Sequence, residues 1–214
     1  MSQETKVLLG IGLATLLILG VGVFLVSKSS SSTAETKPVD AAVLVKADSN
    51  KLAGANSKTT IVEFGDFQCP SCGAVHPMVK EIVTANKDNL TFVYRNFPLT
   101  QHKNAQIAAE AAEAAGAQGK YWEMHDKLFD NQDAWSESDK PLDTFVSYAK
   151  ELELDTEKFR NEVEANKYAD KINADQNDGI ILGVNSTPTF YIDGVKFTGD
   201  YSNFKSQIEA KVKQ

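Results

Sequence analysis

The chain has 214 residues, 42% of them hydrophobic, a formal net charge of −7 and only two cysteines. That length is enough for one domain with a buried core, and the acidic balance argues against nucleic-acid binding, because phosphate recognition needs clustered lysine and arginine. Two cysteines are too few for a disulfide-dense scaffold or a four-cysteine metal site.

The N-terminal part of the chain contains an uncharged, apolar run at residues 7–26. As a helix this run would span about 30 Å, the hydrocarbon thickness of a bilayer, so it predicts one transmembrane anchor. A cleaved signal peptide is the alternative, although its apolar region is normally about 7–15 residues long. Residues 1–6 are then a short tail, residues 27–54 a serine-rich flexible tether and lead-in, and residues 55–214 a globular domain.

The first half of the domain has the pattern of a β-α-β unit. A β-branched and aromatic run at residues 59–64 predicts a strand that ends at Gly65-Asp66. A helix is predicted from the cysteines to about residue 86, and a second strand at residues 90–97, which Pro98 ends. The connection is long enough for the two strands to pair in parallel through a right-handed crossover.

The second half of the domain begins with a long helical block and then returns to sheet. Residues from about 100 to 183 are rich in helix-forming residues with amphipathic spacing. Two short strands follow at residues 189–192 and 195–198, joined by Asp193-Gly194, a strong hairpin signal, and a last helix is predicted at residues 201–213. This order predicts an α/β fold interrupted by an all-helical insertion and preceded by one N-terminal transmembrane helix.

Both cysteines lie in one C-x-x-C segment, Cys69-Pro70-Ser71-Cys72, at the predicted start of a helix. Pro70 suits the first helical position because its missing N–H costs nothing there. The free N–H groups and the positive end of the helix dipole then face Cys69, which lowers the pKa of its thiol and makes it a good leaving group in disulfide exchange. Cys72, one turn later, is the expected resolving thiol.

Two other roles for the cysteines are weaker. A structural disulfide across two intervening residues would remove little chain entropy. A zinc site with His76 as a third ligand, in the pattern C-x-x-C-x-x-x-H, lacks a fourth cysteine. Redox chemistry without a bound metal is therefore the better prediction.

The segment from Glu63 to Cys72 (EFGDFQCPSC) resembles the active-site segment of DsbA-like thiol:disulfide oxidoreductases, which have a thioredoxin fold. Three further segments are similar to that family: RNFPL at residues 95–99, YWEMH at 121–125 and GVNSTPTF at 183–190. The resemblance covers roughly residues 55–214, and it implies a thioredoxin fold that contains the predicted helical insertion.

The resemblance also implies roles for residues outside the cysteine motif. Pro188 is expected to be a cis-proline packed beside the sulfurs, and Thr187 and Pro188 are expected to offer backbone groups to an extended substrate chain. Glu63 is expected to be a buried carboxylate that relays a proton to or from Cys72. The alternative for Glu63 is an outward-facing charge at a sheet edge.

The dipeptide between the cysteines departs from the best-known enzyme of the family. Ser71 stands where that enzyme has histidine, and this removes one stabiliser of the Cys69 thiolate. His76, one helical turn beyond Cys72, is a candidate to compensate. Pro70, Ser71 and His76 are therefore the expected supporting residues of the active site.

Together these features predict a membrane-anchored dithiol oxidase that forms disulfides in exported proteins, with residues 1–6 in the cytoplasm and the catalytic domain on the extracytoplasmic side of a bacterial cell membrane. Its expected partners are reduced or unfolded exported proteins and a membrane protein that re-oxidises the cysteines; no bound cofactor, metal or nucleic acid is expected. A reductase or isomerase of the same fold is the first alternative. A thioredoxin-fold copper chaperone is the second alternative. It is less favoured because the sequence shows no methionine or histidine cluster near the cysteines that would help to bind copper.

Overall fold

The computed structural model describes residues 38–212. The predicted cytoplasmic tail, the transmembrane anchor at residues 7–26 and the first part of the tether lie outside these residues. Across residues 38–212, no helix has the length and apolar character needed to cross a membrane.

A five-stranded mixed sheet forms the centre of the fold. Its strands, in chain order, are β1 (Asn50–Ala53), β2 (Thr59–Gly65), β3 (Leu90–Asn96), β4 (Thr189–Ile192) and β5 (Val195–Lys196). Their spatial order is β1-β3-β2-β4-β5, with β2 and β3 parallel and every other pair antiparallel. The middle strand, β2, has six of its seven residues buried, as expected for an apolar strand covered on both faces.

Strands β2, β3, β4 and β5 confirm the predicted strands to within two residues. Strand β1 is an addition, because it pairs antiparallel with β3 through residues that precede the predicted start of the domain at residue 55. Its sequence, NKLA, is short and mostly exposed, so it lacks the apolar alternation that predicts a strand. Its backbone pairing with β3, rather than its side chains, makes it a strand.

The helices of the described residues surround this sheet. α1 (Ala41–Leu44) precedes β1, and α2 (Pro70–Ala85) connects the parallel strands β2 and β3. Between β3 and β4 the chain forms the predicted helical insertion, which consists of α3 (Ala105–Gly116), α4 (Tyr121–Asp130), α5 (Gln132–Trp135), α6 (Pro141–Glu151), α7 (Thr156–Glu164) and α8 (Ala169–Ile181). A 3-10 turn at Tyr201–Asn203 leads into the last helix, α9 (Phe204–Val212).

Alanine residues allow close packing inside the insertion. Ala108, Ala111, Ala112 and Ala115 of α3 are fully buried. Because their methyl side chains add little bulk, α4, α6 and α7 pack closely around α3. Alanine therefore contributes to α3 in two ways: its high intrinsic helix propensity favours the helix, and its small side chain allows close packing.

A buried ion-pair cluster connects the insertion to the sheet. Arg95 of β3 is fully buried and donates hydrogen bonds to the carboxylates of Asp175 and Asp178 on α8. The same guanidinium donates to the backbone carbonyl oxygens of Val43 and Leu44 at 3.2 and 2.9 Å. We call Arg95, Asp175 and Asp178 the Arg95 cluster. Each charge in it lies beside an opposite charge, the condition under which buried ions are tolerated.

Candidate active site

The two cysteines lie at the start of α2, as the sequence predicts. Cys69 is the N-cap residue, with extended backbone angles (φ −69°, ψ 121°), and Pro70 is the first helical residue. Both cysteines are buried free thiols, whereas Pro70 and Ser71 between them are exposed. The two sulfurs share a hydrogen bond, so the pair has the proximity that a dithiol–disulfide couple needs.

The two thiols have opposite acidities. The hydrogen bond from Cys72, together with further hydrogen bonds from the backbone N–H groups of Cys72 and Ser71, lowers the pKa of Cys69 to about 5. Burial raises the pKa of Cys72 well above its ordinary value, and the hydrogen bond to Cys69 and the negative charges of Glu63 and Cys69 add to the rise. At neutral pH the couple is therefore a Cys69 thiolate beside a Cys72 thiol.

The Thr187–Pro188 segment lies beside the Cys69 sulfur. The peptide bond between its two residues is cis, as the resemblance implies, and the Thr187 carbonyl oxygen accepts a hydrogen bond from Cys69 Sγ at 3.4 Å. Tyr201 also holds the segment, because its hydroxyl donates to the Pro188 carbonyl oxygen at 3.0 Å. The sequence did not single out Tyr201. The role of the segment in substrate binding stays a prediction.

Glu63 lies on the central strand β2 and is 4% exposed. This burial excludes the alternative of an outward-facing edge charge. Burial raises the pKa of its carboxyl to about 8, and the negative charge of Cys69 adds to the rise. The charge of Glu63 in turn raises the pKa of Cys72, so the carboxyl and the thiol are electrostatically coupled. A buried carboxyl that titrates near neutral pH has the property that a proton relay requires, while the relay itself stays a prediction.

His76 does not stabilise the Cys69 thiolate, and here the sequence-based expectation is corrected. The imidazole packs on α4, stacked on Phe129 with ring centroids 4.9 Å apart, and its Nε2 atom faces carboxylate oxygens of Asp126 and Asp130. Burial lowers the pKa of His76 to about 4, so the ring is neutral at pH 7 and supplies no positive charge. His76 is also not among the groups that lower the pKa of Cys69.

Asp66, which the sequence marks only as the end of a strand, shapes the turn before Cys69. It is buried, and its carboxylate accepts hydrogen bonds from the N–H groups of Gln68 at 2.7 Å and Leu99 at 2.9 Å. The Nδ1 atom of His102 lies 2.7 Å from the same carboxylate. An aspartate that bonds its own backbone two residues on is an Asx turn, so the local sequence did carry a signal for this role.

Two glutamine side chains connect the active-site turn to the helical insertion. Gln132 Nε2 donates hydrogen bonds to the carbonyl oxygens of Phe67 at 2.7 Å and Cys69 at 3.0 Å. Gln68 Nε2 donates to the carbonyl oxygen of Ser136 at 2.7 Å. The partners are 63 to 68 residues apart in the chain, so no local pattern predicts these contacts.

Comparison with known proteins agrees with this fold. A family model described as Thioredoxin matches residues 52–210, which is most of the chain. Among solved structures, oxidised BdbD from Bacillus subtilis is similar with a TM-score of 0.68 and 23% identity, over 78% of this chain and 94% of that one. Wolbachia pipientis alpha-DsbA1 is similar with a TM-score of 0.67 and 22% identity, over 79% and 94% of the two chains. The predicted thioredoxin fold with its helical insertion is thus confirmed.

A third solved structure has higher identity. It is a thioredoxin-like oxidoreductase from Silicibacter pomeroyi DSS-3, with a TM-score of 0.66 and 29% identity, over 82% of this chain and 96% of that one.

The match to curated relatives covers most of this chain and only part of each relative. The Na(+)/H(+) antiporter NhaA 1 of Salinispora arenicola is 40% identical over 166 residues, which is 77% of this chain and 24% of that protein. The NhaA 3 antiporter of Salinispora tropica is 38% identical over 166 residues, again 77% of this chain and 24% of that protein. The chain therefore spans about a quarter of the length of these relatives, and the activity in their names describes the longer proteins.

Proposed function

Because this chain belongs to the thioredoxin family, we propose that it is a thiol:disulfide oxidoreductase, and that it works as a dithiol oxidase that forms disulfides in exported proteins. The observation that carries the proposal is the opposite acidity of the two cysteines, with a pKa of about 5 for Cys69 and a raised pKa for Cys72. A thiolate that is stabilised in the reduced form makes the corresponding disulfide a stronger oxidant. This asymmetry favours electron flow from substrate to enzyme.

The proposed reaction moves two electrons from the substrate to the cysteine pair. A substrate thiolate attacks Cys69 Sγ of the Cys69–Cys72 disulfide, the S–S bond breaks, and Cys72 leaves as a thiolate that takes up a proton. A second substrate thiolate then attacks the substrate sulfur of the mixed disulfide, and Cys69 leaves as a thiolate. The substrate has gained a disulfide and lost two electrons, which the reduced cysteine pair now holds.

Glu63 is the proposed source of the proton that Cys72 takes up. With a pKa of about 8, its carboxyl is largely protonated at neutral pH, while the raised pKa of Cys72 makes the departing thiolate a strong base. The proton passes to Cys72 when the mixed disulfide forms, and it returns when the cysteine pair is re-oxidised.

An extended substrate segment is proposed to bind along Thr187 and Pro188. The Thr187 carbonyl oxygen lies 3.4 Å from Cys69 Sγ, so a chain bonded to this segment would hold its own cysteine beside the reacting sulfur. Binding through the backbone does not depend on particular side chains. This suits an enzyme that acts on many reduced or unfolded proteins.

We place this reaction outside the cell membrane of a bacterium, with the domain held by the apolar run at residues 7–26. Disulfides persist in oxidising compartments, and a dithiol oxidase has its substrates there. A membrane partner would accept the two electrons and restore the disulfide. The cysteine pair itself carries the electrons, so the proposed reaction needs no other bound cofactor.

The reduction potential of the Cys69–Cys72 pair, equilibrated against glutathione, tests the direction of electron flow. An oxidase is expected nearer about −120 mV and a reductase nearer about −270 mV. A reductase or isomerase is the competing function, because Ser71 supplies no charge to the thiolate. A potential close to the lower value would overturn the oxidase proposal and leave the competing function.

A further inference from the structure

Imidazoles and carboxylates meet between α2 and α4, in a cluster that does not include the cysteines. His76 comes from α2, and His125, Asp126 and Asp130 come from α4. We call these four residues the histidine cluster. Three of them, His76, His125 and Asp126, each offer a potential ligand atom, and these atoms lie within 4.8 Å of one another.

Two nitrogen atoms of the histidine cluster are buried and unpaired. His76 is 5% exposed and His125 is 3% exposed. The Nε2 atom of each ring has no hydrogen-bond partner among residues 38–212, and that of His76 is the one that faces the carboxylates of Asp126 and Asp130. Leaving a buried polar atom unpaired costs about 1–3 kcal/mol, and such atoms in native proteins point to a water or an ion.

The distances around Asp126 suit a cation held by three protein ligands, with Asp130 beside His76. Asp126 Oδ1 lies 3.6 Å from His76 Nε2 and 3.4 Å from His125 Nδ1, and Asp130 Oδ1 lies 3.5 Å from His76 Nε2. A tetrahedral zinc ion with bonds of about 2.0–2.2 Å separates its ligand atoms by about 3.3–3.6 Å. The two His76 spacings are long for hydrogen bonds, and all three spacings match this separation.

Lys80 is the cation that lies beside the two carboxylates. Its Nζ atom lies 2.8 Å from Asp126 Oδ2 and 3.4 Å from Asp130 Oδ2, so it pairs with the far oxygen of each carboxylate. The near oxygens, both Oδ1, are the ones that face His76. The ammonium group also repels a cation placed among the four residues, and it should therefore limit the affinity.

A cavity gives access to the histidine cluster from solvent. Its volume is about 110 Å³, and its lining includes His76, His125 and Asp126 together with apolar side chains such as Trp122. A metal site needs such an entry path in addition to its ligands.

We propose that the histidine cluster binds one divalent transition-metal cation of the zinc class. The imidazoles of His76 and His125 and the carboxylate of Asp126 are the protein ligands, a donor set that suits zinc, and a water molecule would complete the coordination. The bound ion would join α2, the helix that begins at Cys69, to α4 of the insertion. The site therefore lies outside the redox couple and acts on the helix that carries it.

Zinc titration of the full chain in its disulfide form tests this proposal. Because Cys69 and Cys72 are the only cysteines, oxidation removes every thiol ligand from competition. We expect one equivalent of Zn²⁺ to bind with a micromolar or tighter dissociation constant, measured by calorimetry on protein without a histidine tag. The absence of saturable binding would overturn the proposal.

Matched variants locate the binding. Asp126→Asn is expected to weaken zinc binding about 100-fold, because even the loss of a group that only orients a ligand costs about 10–100-fold. Asp133→Asn, the same change at an exposed position of α5, is expected to leave the affinity unchanged. Circular dichroism checks that both variants are folded. Equal zinc affinity in the parent and Asp126→Asn would overturn the proposal.

Lys80→Met provides a readout that a purely structural ion-pair network would not give. Removing the ammonium takes away a charge that repels the metal, so zinc is expected to bind several-fold tighter. Weaker binding in this variant would contradict the proposed position of the cation.

Discussion

Two buried polar regions lie on opposite faces of the same sheet, and they treat charge differently. Glu63 of β2 is paired with Tyr94 of β3, so these two side chains lie on the same face of the sheet. Successive residues of a strand point to opposite faces, so Arg95 lies on the other face. In the Arg95 cluster, the guanidinium is matched by two carboxylates. On the active-site face, the pKa values of Glu63 and Cys72 are raised by burial and by neighbouring negative charge.

The buried charges of the Arg95 cluster have a structural role, whereas the buried groups on the active-site face have a chemical one. A compensated ion pair stays in one protonation state and holds secondary-structure elements together. A buried acid without a compensating cation titrates near neutral pH, so it can exchange protons during a reaction. The active-site face thus keeps a buried acid that can exchange protons, whereas the Arg95 cluster pairs its buried charges.

The largest expected effect comes from the cysteines, whose loss should remove the chemistry and spare the fold. Cys69→Ser is expected to abolish disulfide exchange, because it removes the sulfur that substrate attacks. Cys72→Ser keeps a reactive Cys69 but lacks the resolving thiol, so it is expected to accumulate a mixed disulfide with a disulfide-containing peptide, detected by mass spectrometry. Turnover by Cys69→Ser would break the assignment of the reaction to this face.

The Arg95 cluster should show the reverse behaviour. Arg95→Met is expected to lower the free energy of unfolding by about 3–5 kcal/mol, because it leaves Asp175 buried without its partner. Arg160→Met is the matched control, since Arg160 pairs with Asp143 at the exposed surface, where an ion pair contributes about 0–1 kcal/mol. Urea denaturation measures both values. Similar losses in the two variants would show that the cluster does not hold the insertion to the sheet.

Glu63→Gln is expected to change how stability depends on pH. The folded chain keeps the Glu63 proton up to about pH 8, whereas the unfolded chain releases it near the ordinary pKa of 4.5. Between these values the folded state binds more protons, so its free energy of unfolding falls as pH rises, by on the order of 3–4 kcal/mol from this group.

The oxidised protein is the right material for this measurement, because its disulfide removes the titration of both cysteines. The disulfide also removes the negative charge of Cys69, so burial alone then raises the pKa of Glu63 and the fall should be smaller than in the reduced protein. Urea denaturation at several pH values between 5 and 8 should show a steeper fall for the parent chain than for Glu63→Gln. Parallel curves would mean that Glu63 does not titrate in this range, and its proposed proton transfer to Cys72 would then fail.

The smallest expected effect is that of Ser71→His. Below about pH 6.5 a histidine at this exposed position carries a positive charge next to the Cys69 thiolate, which should lower the pKa of Cys69 further. The reduction potential should rise by about 30 mV, equivalent to about 1.4 kcal/mol. Glutathione equilibration measures this shift, and Ser147→His, an exposed position on α6, serves as control. An unchanged potential would show that charge at position 71 does not control the couple.

Local patterns predicted most of the fold, because the residues that decide these elements are close in sequence. The Asp193-Gly194 pair predicted the hairpin, and both residues adopt the positive φ angles, 50° and 82°, that such a turn requires. Pro70 likewise predicted the first residue of α2. The cysteine pair could be assigned from the same local information.

Contacts between distant segments could not be predicted in this way. Helical spacing places His76 one turn beyond Cys72, but what His76 meets depends on how α4 packs, about 50 residues later in the chain. The partners of Arg95 and Gln132 depend in the same way on how α8 and α5 pack. The sequence therefore predicted the position of the two cysteines at the start of α2, and it predicted the groups around them only in part.

The hydrogen bonds from Gln132 to the carbonyl oxygens of Phe67 and Cys69 have a consequence for how such enzymes diverge. The backbone that presents the reactive sulfur is oriented by an amide encoded more than sixty residues downstream. A graft of the ten-residue motif onto a bare thioredoxin scaffold would carry the cysteines without this support. Two relatives with an identical motif can therefore differ in reactivity through substitutions in the insertion alone.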